Sequence, residues 1–245
     1  MVFSLDFVSY EKSVPEILGR AGLASLIKDQ TKIILKPNLT INRPAPCTTP
    51  AEFVEQVIKF CQKYSNAEIF IAEGAGGCDT RICFQELGYN NLAEKYGVKL
   101  TDLNREARIE KQSFFLPAIV FTGFFINLPV LKEHHEWILS CAMKNNFGLY
   151  LSKEAVTNPF FDFWSKRDLH QGGAHKAIWD LNLCRPADFV LVDASVGQRG
   201  HVLSGEPCDP PLKKLFAGID NLEVDREAAP YLGLNPTTIP YLNFS

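Results

Sequence analysis

Short apolar runs, each closed by a polar or turn residue, alternate along the chain with stretches whose apolar positions recur every three or four residues. The first run, TKIILKPN (Thr31 to Asn38), is β-branched and stopped by Pro37, which predicts a buried strand ending in a loop. TTPAEFVEQVIKFCQKYS follows with Phe53, Val57, Cys61 and Tyr64 on one helical face. Thr49 is its expected N-cap, Pro50 its first helical residue, and Glu52 the partner that completes a capping box. AEIFIAEGAGG (Ala67 to Gly77) repeats the arrangement: an apolar strand delivers Glu73 to a glycine-rich turn, and a helix is expected through Arg81 to Tyr96. GVKLTDL, AIVFTGFFINLP (Ala118 to Pro129) and ADFVLVDAS (Ala187 to Ser195) supply three further strands.

In the middle of the chain, Asn127 to Pro129 reads as a strand end and KEHH as the loop beyond it. WILSCAMKNN then reads as a helix that puts Ser140 and Lys144 on one face. AHKAIWDLN predicts a helix with Ala174, Ala177, Ile178 and Leu181 inward and His175, Trp179 and Asn182 in a second stripe. Asp220 and Asp225 are expected to cap the last helix. Strands alternating with helices predict an α/β fold: a layered parallel or mixed β-sheet with helices on both faces. A single compact α/β domain is expected over residues 1–245, with the aromatic, turn-rich segment Ser152 to Gly173 inserted as a loop or lid.

Composition narrows the functional class. A net charge of -3 lacks the basic footprint of a dedicated nucleic-acid binder, so the expected partner is a small molecule. No apolar run is long enough to span a bilayer and the first ten residues lack a signal-peptide pattern, so no membrane association and a cytoplasmic location are expected. The cysteines are scattered and odd in number, at seven, which argues against a disulfide framework. None forms a C-x-x-C pair, Cys78 and Cys83 being the closest, so no iron-sulfur motif is expected.

Ligands of open α/β sheets bind beyond the carboxyl ends of the strands, and that is where the polar residues gather. Lys36 and Asn38 follow the first strand, and Lys36 could meet a carboxylate or phosphate oxygen. Glu73, Gly74, Gly76 and Gly77 follow the second and could cradle an anion, although the spacing is not that of a dinucleotide fingerprint and a plain tight turn is as good a reading. Asp193 is expected to end the fifth strand as a ligand-binding carboxylate. All five histidines fall after Leu131, which suggests acid-base work or a divalent metal ion held by His134 and His175. Lys144, beside Asn145 in an apolar run, would be desolvated and suited to base or imine chemistry; the plainer alternative is an amphipathic helix whose lysine reaches water.

LKPNL, CTTPAEFVEQVI, IAEGAGG, FINLPVLKEHHEWILSCAMKNNFGL, HKAIWDLN, FVLVDASVG and AGIDNLEVDREAAPYLG together resemble the domain of unknown function family 362 over nearly the whole chain. The resemblance implies that Lys132, His134, Lys144 and Asn145 belong to a site, with the family histidine at His134 although His135 adjoins it. Many members look like fusions to ferredoxin-type iron-sulfur domains. No such domain is expected from this sequence, so a redox role would need a separate ferredoxin-type partner. The expected function is an enzyme acting on a small anionic metabolite, with Lys132, His134, Lys144 and His175 moving protons or holding a metal. A redox or metal-linked protein working with an iron-sulfur partner and a non-catalytic binding module are the alternatives.

Overall fold

The computed structural model describes residues 1–151 and 173–244. The segment expected as a loop or lid therefore lies, apart from Gly173, outside the described residues, as does His170.

The first part of the chain gives β1 (Phe3–Asp6), α1 (Tyr10–Arg20), α2 (Leu23–Ile27), β2 (Lys32–Pro37), α3 (Ala51–Tyr64), β3 (Glu68–Glu73), α4 (Thr80–Glu86), α5 (Tyr89–Tyr96) and β4 (Lys99–Asp102). A small hairpin of β5 (Arg108–Lys111) and β6 (Phe114–Pro117) precedes β7 (Phe124–Leu128), β8 (Val130–His134), β9 (Ile138–Ser140) and the single-turn α6 (Ala142–Asn145). Beyond the undescribed segment come α7 (Ala174–Cys184), β10 (Phe189–Arg199), β11 (Glu206–Pro207), β12 (Lys214–Gly218) and α8 (Asn221–Ala228).

Ten of these strands form one mixed sheet, whose main path runs β1, β12, β10, β7, β2, β3, β4. Pairing is parallel from β10 through β7, β2 and β3 to β4, and antiparallel where β12 meets β1 and β10. The two-residue period of a strand sends Ile33 and Leu35 to one core with α1, α2 and α3, and Ile34 to the other with α7 and α8. Both faces are therefore covered, which explains why the central strands read as continuous apolar runs. The expected α/β architecture is the one found.

Local chemistry moved several boundaries. The helix expected through Arg81 to Tyr96 is two helices, because Gly88 takes a left-handed φ of 82° between them. Pro50, not Thr49, is the N-cap of α3, and no side chain caps it. The Thr49 hydroxyl instead donates to the Leu128 carbonyl at 2.8 Å and accepts from the Asn38 amide at 2.8 Å. The fifth strand runs on to Arg199, so Asp193 sits in mid-strand.

The larger correction concerns residues 130–141, expected as a loop and a helix and found as a β-hairpin. Val130–His134 pairs with β10 and β9, and Ile138, at φ 68°, turns the chain back. A β-branched residue in that region is strained, so the tertiary pairing overrides a local pattern that fits a helix.

Candidate functional site

The carboxyl ends of β2 and β3, the β8–β9 hairpin and α6 surround a cavity of about 580 Å³. Alternation along β8 turns Lys132 and His134 to one side and Glu133 to the other, where Glu133 meets Arg199 at 2.9 Å and the Gly200 amide at 2.6 Å. The hairpin thus brings in Lys132 and His134 from a strand, and α6 adds Lys144 and Asn145. Although Ser140 and Lys144 do not share a helix, both line the cavity.

Lys36 and Glu73 form a fully buried ion pair at 3.0 Å. Glu73 also accepts from the Leu39 amide at 2.9 Å and the Gly74 amide at 2.7 Å. Gly148 packs so closely on this pair that a Cβ there would meet the Lys36 ammonium at 2.7 Å and the Glu73 carboxylate closer still. The glycine-rich turn is therefore no free anion cradle. Its first amide is engaged by Glu73, and the Asp79 carboxylate sits at the start of α4, accepting from the Arg81 amide at 2.9 Å. Arg81 and Arg105 hold the Asp79 carboxyl down to about 2. Gly76 and Gly77 still contribute the cavity wall.

Lys132 is fully buried and donates to the Cys47 carbonyl at 2.7 Å and to Asn38 Oδ1 at 3.4 Å. Burial pushes its pKa down to about 8. Lys144 lies over the Phe147 ring at 3.8 Å, and among the described residues no carboxylate forms an ion pair with it. Burial, with the neighbouring charge of Lys132, pushes Lys144 down to about 7, so near neutrality it is poised between ammonium and free amine. One lysine can hold an anion while the other exchanges a proton.

His134 Nδ1 accepts from the Glu136 amide at 3.1 Å and the Trp137 amide at 3.3 Å, which places the proton of the neutral ring on Nε2. Its ring stacks on His135, and His135 on His201, with centroids 4.9 and 4.0 Å apart. His201 and its neighbours Val202 and Leu203 close one side of the cavity, held by Gln198 and by Arg43, which donates to the Leu203 carbonyl at 2.6 Å.

Two expected site residues lie elsewhere. His175 does not line the cavity; it packs edge-on to Trp137 at 5.2 Å and against Tyr241 at 5.8 Å. Trp137 also lies against His134, so it packs between the two candidate metal ligands. Among the described residues no group of three or more His, Cys, Asp or Glu side chains converges as a metal site. Asp193 accepts from the Tyr10 hydroxyl at 2.8 Å and the Ser195 amide at 2.9 Å, fastening α1 to the sheet, and is not among the cavity residues. Asp220 caps α8 as expected. Asp225, also read as a cap of α8, faces α6 instead and accepts from the Ala142 amide at 2.6 Å and the Met143 amide at 3.0 Å.

Sequence reasoning missed a seam of buried asparagines behind the cavity. Asn38 donates to Asn145 Oδ1 at 3.0 Å, Asn145 to Asn127 at 2.7 Å, Asn127 to Asn221 at 3.1 Å, and Asn221 to Asn182 at 2.7 Å. Every amide oxygen in this chain accepts from the side nearer Lys132, so the dipoles add toward its ammonium. The signal available was an asparagine at each element boundary within apolar sequence: INLP, MKNNF, DLNL and IDNL.

Among the described residues no helix is long and apolar enough to cross a membrane. The chain is 24% identical over 243 residues to the thylakoid-associated protein sll1697 of Synechocystis sp., an alignment covering 94% of this chain and 71% of that protein. Residues 33–230, which hold all the cavity-lining side chains described above, match the family described as "Domain of unknown function (DUF362)", and the chain belongs to that family.

Proposed function

We propose that the protein is an enzyme that takes a small anionic metabolite into this cavity, with Lys132 holding the negative group and Lys144 exchanging a proton with the carbon beside it. The observation that carries the reading is the imbalance of charge: Lys36 is neutralised by Glu73, whereas Lys132 and Lys144 line the same cavity and, among the described residues, neither forms an ion pair, although Glu136 on the cavity wall acts on Lys144 from further away. A cavity of about 580 Å³ suits a metabolite of modest size. His134, with its proton on Nε2, is the second candidate for proton transfer.

Sulfate tests the binding half, because it is a dianion throughout the neutral range. Titration calorimetry is expected to give sulfate binding in the wild type and at least tenfold weaker binding in Lys132→Met and in Lys144→Met. Equal binding by all three would remove the lysines from the reading. The catalytic half is tested with a panel of small carboxylic acids in heavy water. The α-proton NMR signal of one of them is expected to fade with wild type and to persist with Lys144→Met, and a ligand bound but never exchanged would make the protein a binding module.

A further inference from the structure

The segment that continues from the Gly76–Gly77 wall of the cavity carries a second chemistry, independent of the lysines. Cys78 follows directly on Gly76 and Gly77, and Cys83 lies within α4. Both thiols are free and their sulfurs are 2.9 Å apart. Cys78 is partly exposed and Cys83 is buried, with the Leu39 carbonyl 3.5 Å from its sulfur. The two are therefore unequal: one can be reached by a reagent from solvent, and the other can be reached only by its neighbour.

We propose that Cys78 and Cys83 are a reversible redox pair, oxidised to a disulfide by a small disulfide of the glutathione type. The Cys78 thiolate attacks one sulfur of glutathione disulfide, forming a mixed disulfide and releasing one glutathione thiolate. Cys83 then attacks the Cys78 sulfur, so that the mixed disulfide breaks and the second glutathione leaves as the thiol, carrying the proton that Cys83 gives up. Two protein thiols lose two electrons, and one glutathione disulfide gains them. The roles follow from exposure. They agree with the hydrogen bond from Cys83, aided by one from the Asn42 backbone, which holds the Cys78 thiol below its ordinary range.

The disulfide would tie the loop of Gly76 and Gly77 to α4. Because the Gly77 amide donates to the Thr40 carbonyl at 2.8 Å and Cys83 touches Leu39, the tie reaches both loops that form this side of the cavity.

The test places the full chain in buffers of graded reduced to oxidised glutathione, followed by acid quenching, alkylation after denaturation, trypsin and mass spectrometry. Arg81 lies between the cysteines, so cleavage leaves two peptides joined only by the disulfide. The joined pair is expected to appear as the oxidised fraction rises, and to vanish with dithiothreitol, while Cys61 and Cys141, buried in the two cores, stay alkylated. Cys83→Ser is expected to stop at a glutathione adduct on Cys78. Full alkylation of both cysteines at every ratio, or an adduct on Cys78 that the wild type never resolves, would overturn the proposal.

Discussion

Lys144 shows how position changes the chemistry of a residue. A lysine on a surface carries its charge to about pH 10, but here burial beside another lysine brings the change of charge to about 7. For binding, the sign is direct. Below about pH 7 the ammonium attracts an anion, and as pH rises through 7 that attraction is lost. Sulfate affinity is therefore expected to fall about fivefold between pH 7 and pH 8, because the charged fraction of a group that titrates at about 7 drops from about one half to about one eleventh. Lys144→Met should remove most of that step and leave the smaller one of Lys132, which titrates at about 8. Calorimetry at several pH values reads it directly, and a wild-type profile that is flat across the interval would mean that Lys144 does not meet the ligand.

Among the elements, α6 depends on a neighbour rather than on its own sequence. One turn of helix has too few internal hydrogen bonds to persist alone, and its first amides are met by Asp225 from α8. Asp225 is fully buried, and burial pushes its carboxyl up to about 7 against an ordinary value near 4. Between those values the unfolded chain releases the proton and the folded chain keeps it. The group's contribution to stability is therefore complete below pH 4 and is lost as pH rises to about 7, a change of up to about 4 kcal/mol. Asp225→Asn stays neutral, with one oxygen left to accept from an amide, and is expected to lack this dependence. Urea denaturation of both proteins from pH 4.5 to pH 7.5 gives the comparison; parallel curves would show that Asp225 does not titrate in this window.

The same elements explain what could be read from the chain. Strands β2 and β3, and most of β7 and β10, are visible because burial on both faces writes itself as unbroken apolar runs. Lys36, Glu73 and Asn38 were legible for the same reason, since they follow those runs. The hairpin at 130–141 was not, because its pairing partner, β10, lies more than fifty residues away and Ile138 adopts a backbone angle that its own side chain disfavours. His175 sits on a correctly expected helix, yet which neighbour that helix faces is decided by packing on Trp137 and Tyr241.

Across the whole molecule, the asparagine seam ties the carboxyl ends of β2 and β7 to α6, α7 and α8, and so links the sheet to the helices of one face behind the cavity. Buried amides are costly when unpaired and modestly favourable when paired, so such a seam stabilises only when every link is made. Asn127 stands at its centre, accepting from Asn145 and donating to Asn221 and to the Ala142 carbonyl. Asn127→Leu keeps the volume and removes three hydrogen bonds, leaving Asn145 Nδ2 only its longer contacts to the Lys36 and Pro37 carbonyls, a loss expected to be about 3 kcal/mol at roughly 1 kcal/mol for each bond. Asn42→Ala removes one exposed hydrogen bond, to Glu86, and should cost less than about 0.5 kcal/mol. Because the seam ends on Asn38, which orients the Lys132 ammonium, Asn127→Leu should also weaken sulfate binding although it does not line the cavity. Urea unfolding and calorimetry on the same samples decide the matter: a variant that is destabilised but binds sulfate as tightly as wild type would confine the seam to holding the fold together.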